Sequence, residues 1–164
     1  MKFTIQREQL TNAINIVSKA VSSRTTIPIL TGIKIVAHED GITLTASDSD
    51  ISIEQYVPME SGEHQWIEDI TPGSVVLPSK FLGEIVRKLP GEQVTISVNE
   101  RFITTISSGR SEFNLNGMNA EDYPCLPQIE EDKILSLPSD LLKTMIRQTV
   151  FAVATTETRP ILTG

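Results

Sequence analysis

The chain has 164 residues, 39% of them hydrophobic and 21% charged, with a formal net charge of −7; that is enough for one ordinary domain and part of another. No run of 18 apolar residues exists, which excludes a transmembrane helix, and the start Met1-Lys2-Phe3-Thr4-Ile5 lacks the apolar core of a signal peptide. The lone cysteine, Cys125, cannot form an internal disulfide, so the sequence points to a reducing, cytoplasmic setting with no membrane partner.

In chain order, Phe3 and Ile5 alternate as in a short strand. Leu10, Ile14, Val17 and Val21 then recur at helical spacing. Residues 32–37, 42–47 and 51–57 alternate and predict three antiparallel strands, with Asp40-Gly41 as a hairpin turn. A second strand-helix pair follows: Val75 and Leu77 alternate, and Leu82, Ile85, Val86 and Leu89 mark a helix with Ser79 as its expected N-cap. Strands are predicted over 94–98, 102–107 and 112–116, broken at Asn99-Glu100 and Ser108-Gly109. The polar, acidic run 127–132 reads as a linker. A third strand with Leu135 and Leu137 leads through Pro138-Ser139 into a helix marked by Leu142, Met145, Ile146 and Val153.

This order is a repeat. Residues 3–32 align without a gap on residues 135–164, with ten of thirty positions identical, including the whole run Pro28–Gly32 against Pro160–Gly164. A weaker copy links Val75–Leu82 to Leu135–Leu142. Units therefore begin near residues 2, 74 and 134. The expected architecture is α+β: strand, helix and about three antiparallel strands per unit, with helices on one face and sheets on the other. Residues 1–126 form a complete domain of two half-units, about 1–72 and 73–126. Residues 127–133 link it to 134–164, the start of a second domain. That second copy stops at Gly164, the counterpart of Gly32, so the natural protein is expected to be longer and this chain a fragment.

The residues offer little to catalysis. His38 and His64 sit beside acids in strand or hairpin regions and read as solvated. No phosphate loop, nucleophile elbow or metal-spaced Cys/His set is present. Asp48-Ser49-Asp50 reads as a polar turn, Cys125 as a small packed residue and Trp66 as packing. No catalytic residue, cofactor or metal is expected. Charge is more informative. Residues 7–24, 79–88 and 139–150 carry +2, +2 and +1, leaving −12 for the remainder. Equivalent helices on one side make that side basic, suited to phosphates without base readout, while an acidic exterior repels nucleic acid.

At this point the chain resembles the bacterial sliding clamps, the beta subunits of DNA polymerase III. The likeness runs over all 164 residues: Met1–Ile5, Pro28-Ile29-Leu30 after Arg24, Leu77-Pro78, Ser108-Gly109-Arg110-Ser111 and Asp122-Tyr123-Pro124. It implies a DNA-clamp fold and a processivity factor that performs no chemistry. Two three-domain subunits would close head to tail as a homodimer ring around double-stranded DNA, tethering the replicative and other DNA polymerases after opening by a clamp loader. Carried over by position, Arg24, Lys80 and Arg87 would face DNA. Thr156, Arg159, Pro160 and Ile161 fall in the DNA-contacting loop, where some members have aromatic residues in place of Pro160-Ile161. Leu162 falls on the cleft that receives short motifs from polymerases and the loader, whose other walls would lie beyond Gly164. Phe113 and Leu115 fall on the strand that forms the edge between subunits. Two other readings compete. One is a repeat-built protein- or peptide-binding scaffold using its sheet edges. The other is an enzyme with a carboxylate-metal site at Asp48 and Asp50.

Overall fold

A computed structural model describes residues 1–21, 25–48, 50–124, 136–154, 161 and 163. The chain divides into two compact units, Met1–Leu126 and Pro127–Gly164.

In the first unit, strand β1 (Lys2–Gln6) runs directly into helix α1 (Arg7–Val17). Strands β2 (Gly32–Ala37), β3 (Gly41–Ser47) and β4 (Ser52–Pro58) follow as a meander. A short hairpin, β5 (Glu60–Ser61) with β6 (His64–Gln65), leads to β7 (Ile67–Thr71). The second half repeats the plan with β8 (Gly73–Pro78), α2 (Ser79–Lys88), β9 (Gln93–Val98), β10 (Ile103–Ser108) and β11 (Ser111–Asn116).

The half-units exchange their first strands. β1 does not join β2–β4; it pairs antiparallel with β9, setting Phe3 opposite Ile96 and Ile5 opposite Val94. β8 reciprocally pairs with β2, setting Val75 opposite Ile35 and Leu77 opposite Ile33. The result is a five-stranded sheet, β11-β10-β9-β1-β7, and a four-stranded sheet, β4-β3-β2-β8. Alternation along each strand sends Phe3, Ile5, Ile33, Ile35, Val75, Leu77, Val94 and Ile96 to one face, where all are buried. Helices α1 and α2 cover that face with Leu10, Ile14 and Val17 and with Leu82, Val86 and Leu89. A second, smaller cluster of Leu30, Val76, Ala120 and Tyr123 packs on the opposite face of the four-stranded sheet.

Two local expectations are corrected, and the Asp40-Gly41 turn between β2 and β3 is found where expected. Ser79 is the first helical residue, not the cap: Pro78 occupies the N-cap position and no side chain caps the helix. Ser79 instead turns inward, nearly buried, and meets Ser18. Ser139 likewise opens its helix behind Pro138 without a side-chain cap. Gly41 is the first residue of β3 and is required for close approach: a Cβ there would collide with the Val57 carbonyl and the Tyr56 ring.

In the second unit, α3 (Ser139–Thr149) is followed by a 3-10 turn, Val150–Ala152. Leu142, Met145, Ile146, Val150, Phe151 and Val153 are all exposed, although their equivalents by the repeat include the buried Leu10 and Ile14.

Candidate nucleic-acid interface

α1 and α2 lie side by side, joined where Ser18 Oγ and Ser79 Oγ stand 3.3 Å apart. The groove between them is lined at its polar rim by Lys19, Lys80 and Arg87 on the cationic side and by Glu84 on the anionic side. All four side chains are exposed. Local structure sets this arrangement. Leu82, Val86 and Leu89 bury one stripe of α2, so residues 80, 84 and 87 stand one face away, at helical spacing. Lys19 falls in the 3-10 turn Ser18–Ala20 that ends α1, beside the start of α2. Gly83 keeps the groove floor low, since a Cβ there would rest against Ile14.

The structure thus brings together Lys80 and Arg87 of the expected set and adds Lys19. It also removes Arg7 from the basic face. Arg7 Nε donates to the Gly91 carbonyl at 2.9 Å, and Arg7 lines a hollow with Glu8 and Glu92 away from the inter-helix groove. Arg7 therefore has a structural task, which helix charge alone does not reveal. Arg24, Thr156, Arg159, Pro160 and Leu162 lie outside the described residues. Ile161 is described and is 87% exposed.

β11 is the outer strand of the five-stranded sheet. Phe113 lies opposite Ile106 and is 43% exposed, while Leu115 lies opposite Thr104 and is half-buried against the core. The two therefore differ: Leu115 packs, and Phe113 is bare.

Asp48 and Asp50 form a turn between β3 and β4. Asp48 Oδ1 accepts from the backbone N–H groups of Ile51 (2.8 Å) and Asp50 (3.0 Å), which hold its carboxyl below the usual carboxylate range. Its lone pairs serve the chain itself. Among the described residues, no group of three or more His, Cys, Asp or Glu side chains could hold a metal ion. His38 and His64 are exposed, Trp66 is half-buried against the core, and Cys125 lies outside the described residues. No helix among the described residues is long and apolar enough to cross a membrane.

Strand-exchanged half-units with paired helices over one face of their antiparallel sheets define an α+β fold of the DNA-clamp type. The chain belongs to the DNA polymerase III beta subunit family, whose N-terminal domain matches residues 1–127. It is 59% identical over its whole length to the beta sliding clamp of Bacillus subtilis and 51% identical to that of Staphylococcus epidermidis. It spans 43% and 44% of those relatives. A crystal structure of the Bacillus subtilis sliding clamp superposes with a TM-score of 0.95, over all of this chain and 43% of that one. The beta subunit of Streptococcus pyogenes DNA polymerase, 35% identical, superposes at 0.91, again over all of this chain and 43% of the other.

Proposed function

We propose that this chain is the leading part of a DNA sliding clamp, a non-catalytic processivity factor that encircles duplex DNA and tethers the replicative polymerase. Residues 1–126 act as its complete first domain, in half-units of about 1–72 and 73–126. Residues 127–133 link this domain to 134–164, which start the second, so the full-length protein supplies the strands that cover Leu142, Met145 and Ile146. The observation that carries the reading is the groove between α1 and α2, where Lys19, Lys80 and Arg87 stand exposed on an otherwise acidic chain. Mobile cations meet backbone phosphates without reading bases, and such contacts are weak enough to permit sliding when a closed ring supplies retention.

The remaining assignments rest on position in the family. Arg24, Thr156, Arg159, Pro160 and Ile161 extend the DNA-facing surface, and Leu162 contributes one wall of the cleft for partner motifs. Phe113 and Leu115 mark the subunit edge, supported by the exposure of Phe113 on an outer strand. A head-to-tail contact of this kind must close into a ring to avoid filaments. Polymerases, a clamp loader and a second subunit are the partners, in the cytoplasm.

Topology is the test. The full-length protein, loaded on DNA, is expected to persist on circles and to leave when a restriction enzyme linearises them. Equal retention on both forms would favour a scaffold that binds without encircling and would overturn the clamp reading.

A further inference from the structure

Helix α3 repeats α1 in backbone detail. Each has 11 residues and runs into a 3-10 turn, Ser18–Ala20 after α1 and Val150–Ala152 after α3. The Val21 N–H donates to the Ser18 carbonyl at 3.2 Å, and the Val153 N–H donates to the Val150 carbonyl at 3.3 Å. The gapless repeat sets Ile146 on Ile14, Arg147 on Asn15 and Phe151 on Lys19. The complete first unit therefore shows how each exposed side chain of α3 fares once the strands of its own domain are present.

Leu10, Ala13, Ile14 and Ala20 are buried, so their counterparts Leu142, Met145, Ile146 and Ala152 have strands to meet. Lys19 is different: it stands exposed next to the buried Ala20. The same backbone keeps Phe151 in solvent, where it is 83% exposed. Packing leaves this ring free. Asn15 and Lys19 both line the groove that holds Lys80 and Arg87. Residues 147 and 151 thus share the corresponding side of α3, one turn apart, and Arg147 is exposed as well. Where the first domain presents an amide and an ammonium, the second presents a guanidinium and an aromatic ring.

We propose that Arg147 and Phe151 form a seat for unpaired DNA, the guanidinium meeting a backbone phosphate and the ring stacking on an adjacent base. This rests on the reading of the α1–α2 groove as DNA-facing and continues that interface onto the equivalent side of α3. A cation that follows the backbone beside an aromatic platform is the usual composition of a single-strand site, and stacking accepts every base. The contact therefore suits a protein that does not read sequence. Duplex is the poorer occupant. Its base faces are closed by stacking, and a ring driven between paired bases unstacks and kinks the helix, which opposes sliding. A polymerase extends a primer along a single-stranded template, so unpaired bases adjoin the duplex that a clamp holds.

The test is fluorescence anisotropy of the full-length protein with two probes, a blunt duplex and the same duplex carrying an oligo-dT overhang. Phe151→Ala, Phe151→Tyr and Arg147→Ala are compared with wild type over a salt series. Wild type is expected to prefer the overhang probe. Phe151→Ala should lose roughly tenfold in affinity for that probe, with an unchanged salt slope and unchanged binding to the blunt duplex. Phe151→Tyr should keep the preference, and Arg147→Ala should lower the salt slope on the overhang probe by about 1. Thermal melting of Phe151→Ala should match wild type. Wild-type binding of the overhang probe by Phe151→Ala would overturn the seat, as would equal losses on both probes. A lowered melting temperature would also overturn it, by showing that the second domain buries the ring. Retention on circles separates the two readings: a wild-type protein that persists on circles while Phe151→Ala keeps full overhang affinity removes the seat and leaves the clamp reading intact.

Discussion

Ser18 Oγ and Ser79 Oγ stand 3.3 Å apart, a hydroxyl-to-hydroxyl bond that ties α1 to α2 beneath the basic groove. The two partners are unequal. Ser79 is nearly buried, whereas Ser18 retains access to water. Ser18→Ala strands a buried hydroxyl, a loss of about 1–3 kcal/mol, while Ser79→Ala leaves a hydroxyl that water can satisfy, at about 1 kcal/mol or less. Urea unfolding of both variants is expected to rank Ser18→Ala as the more destabilised. The reverse ranking would mean the bond is not what holds the helices.

The cations should separate by task. Lys19→Ala, Lys80→Ala and Arg87→Ala in the full-length protein are each expected to weaken DNA retention and to lower the slope of log affinity against log salt by about 1. Their thermal stability should not change. Arg7→Ala should do the opposite, since its guanidinium bonds the Gly91 carbonyl: lower stability, unchanged salt slope. A salt titration with melting curves on the same four variants checks both halves.

Asp48 gives a pH prediction. Backbone N–H groups of Ile51 and Asp50 favour its carboxylate, so its folded-state pKa lies below the ordinary value of 3.8. A depressed pKa contributes stability that is present above the unfolded value and is lost as pH falls through the folded one. The stability gap between wild type and Asp48→Asn is therefore expected to be constant near neutrality and to narrow below about pH 4. Melting temperatures between pH 3 and 7 measure it; a gap that widens in acid would contradict the assigned bonds.

Leu82 is fully buried among residues from both half-units. Leu82→Ala is expected to cost about 2–5 kcal/mol, whereas Leu142→Ala, its exposed counterpart in α3, should cost little in this 164-residue chain. Denaturant midpoints of the two variants give the comparison.

Much of this fold is legible in the residues, because alternation and helical spacing report which face of an element is buried. The meander β2–β4, the hairpin β10–β11 and all three helices follow from those periods. Partnership does not. Phe3 and Ile5 announce a strand with one buried face, but nothing in their spacing says that they pair with Ile96 and Val94 of the other half-unit. β7 is hidden for a different reason. Ile67-Glu68-Asp69-Ile70-Thr71 breaks alternation at Asp69, whose φ of 53° lies in the left-handed region, and the register with β1 shifts there. At the basic groove, counting charge finds Lys80 and Arg87 but treats Arg7 and Lys19 alike. Only the position of Gly91 separates a cation held by the backbone from one left in solvent.

The exchange of first strands also sets a timetable. β1 ends at Gln6, and its nearest ladder partner on one side is β9, which begins at Gln93. During synthesis one edge of β1 can pair with β7 once Thr71 has left the ribosome, but the other edge must wait for β9. Neither half can close its sheet alone, and pairings this distant in sequence slow folding. The newborn chain therefore carries a β1 with one open edge, paired at most with β7, until β9 emerges. That interval is when the protein is most open to aggregation and to capture by chaperones.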